Sequence, residues 1–88
     1  MHPTTQDFIA VILIMLNTAQ DYNQQYLDIT AGNLHAFIGG YPNPNHRMRS
    51  CNSAMRQVMQ ENDLILEQPP QGHGATLTIR YFMPRLNA

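Results

Sequence analysis

Apolar residues recur three and four positions apart in the middle of the chain, at Met48, Cys51, Met55, Val58 and Met59. That spacing predicts an amphipathic helix over residues 45–60, with Cys51 or Asn52 at the second inward position. The opposite face would carry Arg49, Ser53, Arg56 and Gln60, flanked by His46, Ser50 and Gln57. Upstream, Leu34, Phe37 and Ile38 form a shorter buried stripe on a helix over residues 31–38, which Thr30 can cap. Gly39, Gly40, Pro42 and Pro44 separate the two helices, and Asn43 or Asn45 can cap the second.

The N-terminal pattern differs. Residues 8–16 are apolar almost without interruption, on every helical face, behind a Thr4–Asp7 pair that approximates a capping box, with Thr5 a rival cap. A helix apolar all round is either central in a core or shared with a partner. In a chain of 88 residues it is hard to surround with the chain itself, so a homodimer through Phe8, Ile9, Ile12, Leu13 and Leu16 is expected. Coverage by the following segments is the alternative, and a strand is disfavoured by the lack of alternation. Residues 17–25 are polar and either extend this helix or form a loop. Residues 26–29 suit a short extended segment, although Tyr22 and Tyr26 could also share a helical face.

After residue 60 the period changes. Leu64, Ile65 and Leu66 suit a strand, and residues 69–74, PPQGHG, form a turn-rich loop. Residues 75–82 alternate, with Leu77, Ile79 and Tyr81 on one side and Thr76, Thr78, Arg80 and Phe82 on the other. The two strands form a hairpin. Pro84 ends the second, and both chain ends are expected to fray. The predicted class is α+β, one domain over residues 1–88 with three helices and a C-terminal β-hairpin.

Composition narrows the function. Hydrophobic residues are 43% of the chain, which fits a globular domain. Charged residues are 12%, well below the roughly 25% usual in such domains. The net charge is -1, so bulk charge does not argue for nucleic acid. Its distribution does more: all five cations are arginines, and Arg47, Arg49 and Arg56 cluster in the predicted third helix. A single cysteine excludes an internal disulfide, and the scattered His2, His35, His46 and His73 form no zinc-ligand spacing. Cys51 lies on the inner face without a base on that face, the carboxylates are unpaired, and neither glycine cluster has phosphate-loop context. No enzyme, cofactor or metal is therefore expected. The apolar N-terminal run is too short to span a bilayer and no signal-peptide pattern precedes it, so the expected location is cytoplasmic.

The order helix, short strand, helix, turn, helix, hairpin resembles the winged helix-turn-helix superfamily. Within residues 30–55 the chain is similar to the DNA-binding part of the alkylguanine alkyltransferases and alkyltransferase-like proteins. Thr30 matches the helix start, Gly40 and Pro42 the turn, Arg47 or Arg49 the arginine that probes the base stack, and Ala54–Met55 the packing pair. The family's helix glycine is missing, with Cys51 or Asn52 near its place, and the Pro-Cys-His-Arg active-site stretch is absent. The resemblance thus implies fold and double-stranded DNA docking, not alkyl transfer. It implies that the third helix enters the major groove with Arg49, Ser53 and Arg56, and that Gln57 and Gln60 read base edges. His46 and Arg47 would contact DNA near the helix start, and His73 and Arg80 from the wing (69–74) and its strand. A protein-interaction module on the same fold is the second expectation, favoured by the low charge, the apolar first helix and an outward Phe82.

Overall fold

The structure is a computed structural model that describes residues 3–39, 41–42 and 46–85. Expectations about fraying at residues 1–2 and 86–88, about Gly40 and Pro44 in the turn, and about capping by Asn43 or Asn45 lie outside the described residues.

Helix α1 (Thr5–Asp21) starts at the capping box: Asp7 N–H donates to Thr4 Oγ1 at 3.2 Å, and Thr4 N–H donates to Asp7 Oδ2 at 2.8 Å. It runs beyond the apolar stretch through the polar residues to Asp21, where Asn23, at φ 59°, turns the chain. Phe8, Ile12, Leu16 and Ala19 form its buried stripe. The apolar run is thus not buried on all sides: Leu13 and Ile14 are exposed, and Ile9, Val11 and Met15 are half-buried. Of the residues expected to meet a second copy, Phe8, Ile12 and Leu16 are enclosed by their own chain, leaving Ile9 and Leu13 at or near the surface.

Strand β1 (Tyr26–Thr30) leads directly into α2 (Ala31–Ile38). Helix α3 spans Met48–Val58, followed by β2 (Leu64–Glu67) and β3 (Thr78–Phe82). The sheet is antiparallel with order β1-β3-β2. The hairpin therefore gains a third strand: β1 pairs with β3 along its length, Ile29 opposite Ile79 and Asp28 opposite Arg80. On the other side β2 pairs with β3 through a bulge between Ile65 and Glu67.

The third strand changes how α2 begins. Thr30 occupies the cap position but makes no capping bond; its hydroxyl pairs with the Thr78 hydroxyl across the sheet at 3.1 Å. The orphan N–H groups of Ala31 and Gly32 donate instead to the carbonyls of Leu77 and Ala75, at 2.8 and 2.9 Å. That is why β3 starts at Thr78 and not at residue 75. It also makes Gly32 a packing requirement, since an added Cβ would sit 3.2 Å from the Ala75 Cβ and carbonyl oxygen.

The core lies between the sheet and the helices. Leu77, Ile79 and Tyr81, the predicted inward side of the last strand, are fully buried against Phe8, Ile12 and Leu16 and against Met48, Cys51, Ala54 and Met55. The C-terminal segment does not fray at Arg85. Its guanidinium grips the Asp63 carboxylate at 2.8 Å and donates to the Val58 carbonyl at 2.8 Å, with side chains only 7% and 1% exposed. Tyr81 Oη donates to the Met55 carbonyl at 2.8 Å. Two of the last four carbonyls of α3 are thus capped by side chains from the strand and its extension. Among the described residues no helix is long and apolar enough to cross a membrane.

Candidate nucleic-acid interface

Helix α3 has the largest contrast between its faces. Met48, Cys51 and Met55 are buried, as their spacing predicts, and Ala54 is buried beside them, whereas Val58 is half-buried and Met59 lies past the helix end; Asn52 is buried as well, at 2% exposure. An amide in an apolar face needs partners. Asn52 finds both on the loop before β3: Gly74 N–H donates to Oδ1 at 2.8 Å, and Nδ2 donates to the Gly74 carbonyl at 3.0 Å. Gly72 and Gly74 have φ of 84° and 155°, where L side chains are strained, and a Cβ on Gly74 would also meet Pro69 at 3.3 Å. The loop can therefore present its backbone to α3 only because glycines flank His73.

A second strut lies one turn further along the helix. Arg56 donates from Nη2 to the Gly72 carbonyl at 2.9 Å. Together the two contacts hold the loop over residues 70–74 beside the exposed face of α3. Between them runs an open groove of about 460 Å³ lined by Arg49, Asn52, Ser53, Arg56, Gln57, Gly72 and His73. Among the described residues no carboxylate lines it, although the chain as a whole is net negative. Arg80 and Arg85 are paired with Asp28 and Asp63 at 2.8 Å each, whereas Arg49 and Arg56 lie on α3 at the groove.

Five of the predicted contact residues meet in this groove: Arg49, Ser53, Arg56, Gln57 and His73. Their roles divide. Arg49 is exposed and has no hydrogen-bond or ion-pair partner among the described residues. Arg56 is half-buried and holds the loop. Gln57 Nε2 donates to Ser53 Oγ at 2.9 Å, which orients the amide along the helix and leaves its Oε1 outward-capable.

The other predicted contacts lie elsewhere. His46 and Arg47 precede α3, which begins at Met48 and not at residue 45. His46 Nδ1 accepts the Met48 N–H at 3.2 Å, and the Arg47 N–H donates to His35 Nε2 at 2.9 Å. Gln60 lies past the end of the helix, its N–H donating to Asp63 Oδ2 at 2.7 Å, because the Asp63–Arg85 pair stops α3 at Val58. Arg80 sits in the middle strand, not in the wing tip. It makes two bonds to Asp28, at 2.8 and 2.9 Å, and stacks over Tyr26 at 3.9 Å. Those hydrogen bonds hold the Asp28 carboxyl below its usual range, and desolvation opposes the shift only in part.

Two structural roles escaped the sequence reading. In the sequence Asn52 is only an alternative to Cys51, and the Gly72-x-Gly74 loop whose backbone it clamps lies 20 residues or more further along the chain. In the sequence His35 is only one of four scattered histidines. It is buried, accepts from Arg47 at Nε2, and so must carry its proton on Nδ1, which donates to the Gly39 carbonyl at 3.1 Å. This ring ties the end of α2 to the start of α3. Cys51 is fully enclosed beside the Ala31 carbonyl, and burial pushes its thiol up to about 12, so it has no nucleophilic character at neutral pH. Among the described residues no cluster of histidine, cysteine and carboxylate groups could hold a metal ion.

Comparison with known proteins leaves the reading on this geometry alone: no family model, no curated protein and no solved structure matches the chain.

Proposed function

We propose that the chain is a non-enzymatic double-stranded DNA-binding domain of winged helix-turn-helix type, with α3 entering the major groove and the loop over residues 69–74 approaching the backbone as a wing. One observation carries the reading: Arg49 and Arg56 line one face of α3, beside a groove that two struts keep open and that has no carboxylate among its described lining residues. Arg49 supplies the unpartnered guanidinium for a base edge or phosphate. Ser53 is short enough to let the groove floor approach, Gln57 can reach a base edge, and His73 faces the backbone from the wing. Arg56 is a positioning residue in this scheme, because it reaches DNA only alongside its bond to Gly72.

The test is a titration against generic duplex DNA at several salt concentrations. About three phosphate contacts per copy give a slope near −2.7, or roughly a 40-fold loss of affinity between about 50 and 200 mM salt. Arg49→Ala should weaken binding and flatten the slope without changing the melting temperature. Arg56→Ala should weaken binding and also loosen the wing. A folded protein that binds no duplex at low salt would refute generic DNA docking. The second reading, a protein-interaction module, is favoured by Tyr22 and Phe37, which are 76% and 78% exposed. It predicts salt-insensitive binding that Arg49→Ala leaves unchanged.

A further inference from the structure

The most exposed apolar side chains do not lie at the α3 groove. Along α1, Val11, Ile14, Met15, Thr18 and Tyr22 fall on one flank, because spacings of three and four bring them into line. This flank lies to one side of the helix's buried stripe, with Val11 and Met15 half-buried at its inner edge, beside β1 and α2. Two shallow depressions share Met15 as their common wall. One runs toward Leu27 and Tyr22, the other toward Ile29 and Phe37. Ile14, Tyr22 and Phe37 are 64%, 76% and 78% exposed.

The strip is nearly free of charge. Asp28 alone among the lining residues is ionic, and Arg80 already holds it. Helix α1 carries carboxylates only toward its ends, at Asp7 and Asp21, and no cation at all. That argues against a phospholipid surface or a nucleic acid, both of which need basic residues beside the apolar ones. A charged peptide would find no complement there either. A second copy of this chain would: its strip is equally neutral, so self-pairing brings no like charges together along the seam. The sequence of spacings from Val11 through Met15 and Thr18 to Tyr22 is four, three, four, the pattern of a helix seam that packs against another helix.

The available area fits. Two aromatic rings three-quarters exposed, one exposed isoleucine and the half-buried Val11, Met15 and Leu27 offer on the order of 500–600 Å² per copy. Two copies remove on the order of 1,000–1,200 Å² from water, which reaches the lower bound for a specific interface. We infer that this strip, from Val11 to Tyr22 on α1 with Leu27 and Phe37, is a twofold interface with a second copy of the chain. It shares no residue with the groove at α3, so both can be occupied at once.

The experiment is sedimentation equilibrium of the full chain, wild type against Ile14→Glu/Phe37→Glu, with circular dichroism and a thermal melt on each. Wild type should show twice the chain mass, and the variant should raise the dimer dissociation constant at least about 100-fold while keeping its melt. Both positions are largely exposed, so the fold should not depend on them. If the variant nevertheless melts early, a spin label on Thr18→Cys in the otherwise native chain gives the second reading, a short distance between copies. Cys51 is enclosed and stays unlabelled. A wild type that remains monomeric up to about 1 mM overturns the inference. So does a dimer that the double substitution leaves intact, or labels on Thr18→Cys that sit far apart.

Discussion

Replacing Asn52 with alanine isolates the clamp between α3 and the wing. The side chain is 2% exposed and makes two good bonds to one residue, at 2.8 and 3.0 Å, both to the Gly74 backbone. Each bond contributes about 1 kcal/mol net, and the stranded N–H and carbonyl of Gly74 add a desolvation cost, so the loss should be about 2–4 kcal/mol. A domain of this size has only about 4–13 kcal/mol in total. The melting temperature should then fall by roughly 10–25 °C. Asn52→Asp sharpens the test, because it keeps the acceptor for the Gly74 N–H but sets a second oxygen, and a buried charge, against the Gly74 carbonyl. It should be worse than alanine at pH 7 although it is nearly isosteric. Urea unfolding gives the free energies, and amide exchange at Gly74 gives the local opening. In both variants exchange at Gly74 should accelerate more than exchange at Ile79. A loss below about 0.5 kcal/mol for alanine, or an aspartate variant as stable as wild type, would refute the clamp.

Arg85→Ala should cost about 3–5 kcal/mol in urea unfolding, since it leaves the buried Asp63 carboxylate without its counter-ion and the Val58 carbonyl without a donor. Arg80→Ala, at a solvent-exposed pair, should cost far less. Asp28→Asn should lower the melting temperature slightly at neutral pH. The folded carboxyl titrates below its unfolded value of about 3.9, so the contribution is complete above that value and is lost as pH falls through the lower folded one. The gap between wild type and Asp28→Asn should therefore close under strong acid and persist through neutral pH. Iodoacetamide should leave Cys51 unmodified in the native protein at pH 8 and label it in urea; rapid native labelling would contradict its burial.

Elements whose pattern is periodic and local were legible in the sequence. The capping box at Thr4 and Asp7, the inward Met48, Cys51 and Met55 of α3 and the alternation of Leu77, Ile79 and Tyr81 follow the pattern, although Val58 is half-buried and Met59 lies past the helix. What was misread depends on partners distant in the chain. Thr30 looked like a cap, but the carbonyls of residues 75 and 77 take that task and free its hydroxyl for Thr78. Arg80 looked like a wing contact because alternation places it outward; only the register opposite Asp28 reveals the ion pair. The α1 run looked apolar all round, and a linear pattern could not tell which flank the sheet would cover. The groove was half visible. Arg49, Ser53, Arg56 and Gln57 follow from helical period alone, whereas the approach of His73 depends on Asn52, whose amide reads as an ordinary polar residue until its partner is known.

The division of labour on α3 has an engineering consequence. The inner face, the His35 bond at the start and the Tyr81 and Arg85 caps at the end fix the helix without help from Arg49, Ser53 or Gln57. Those three positions can be randomised together in a library while the scaffold keeps its shape, whereas Asn52 and Arg56 must be held constant. Selected variants would then differ in what they recognise, not in whether they fold.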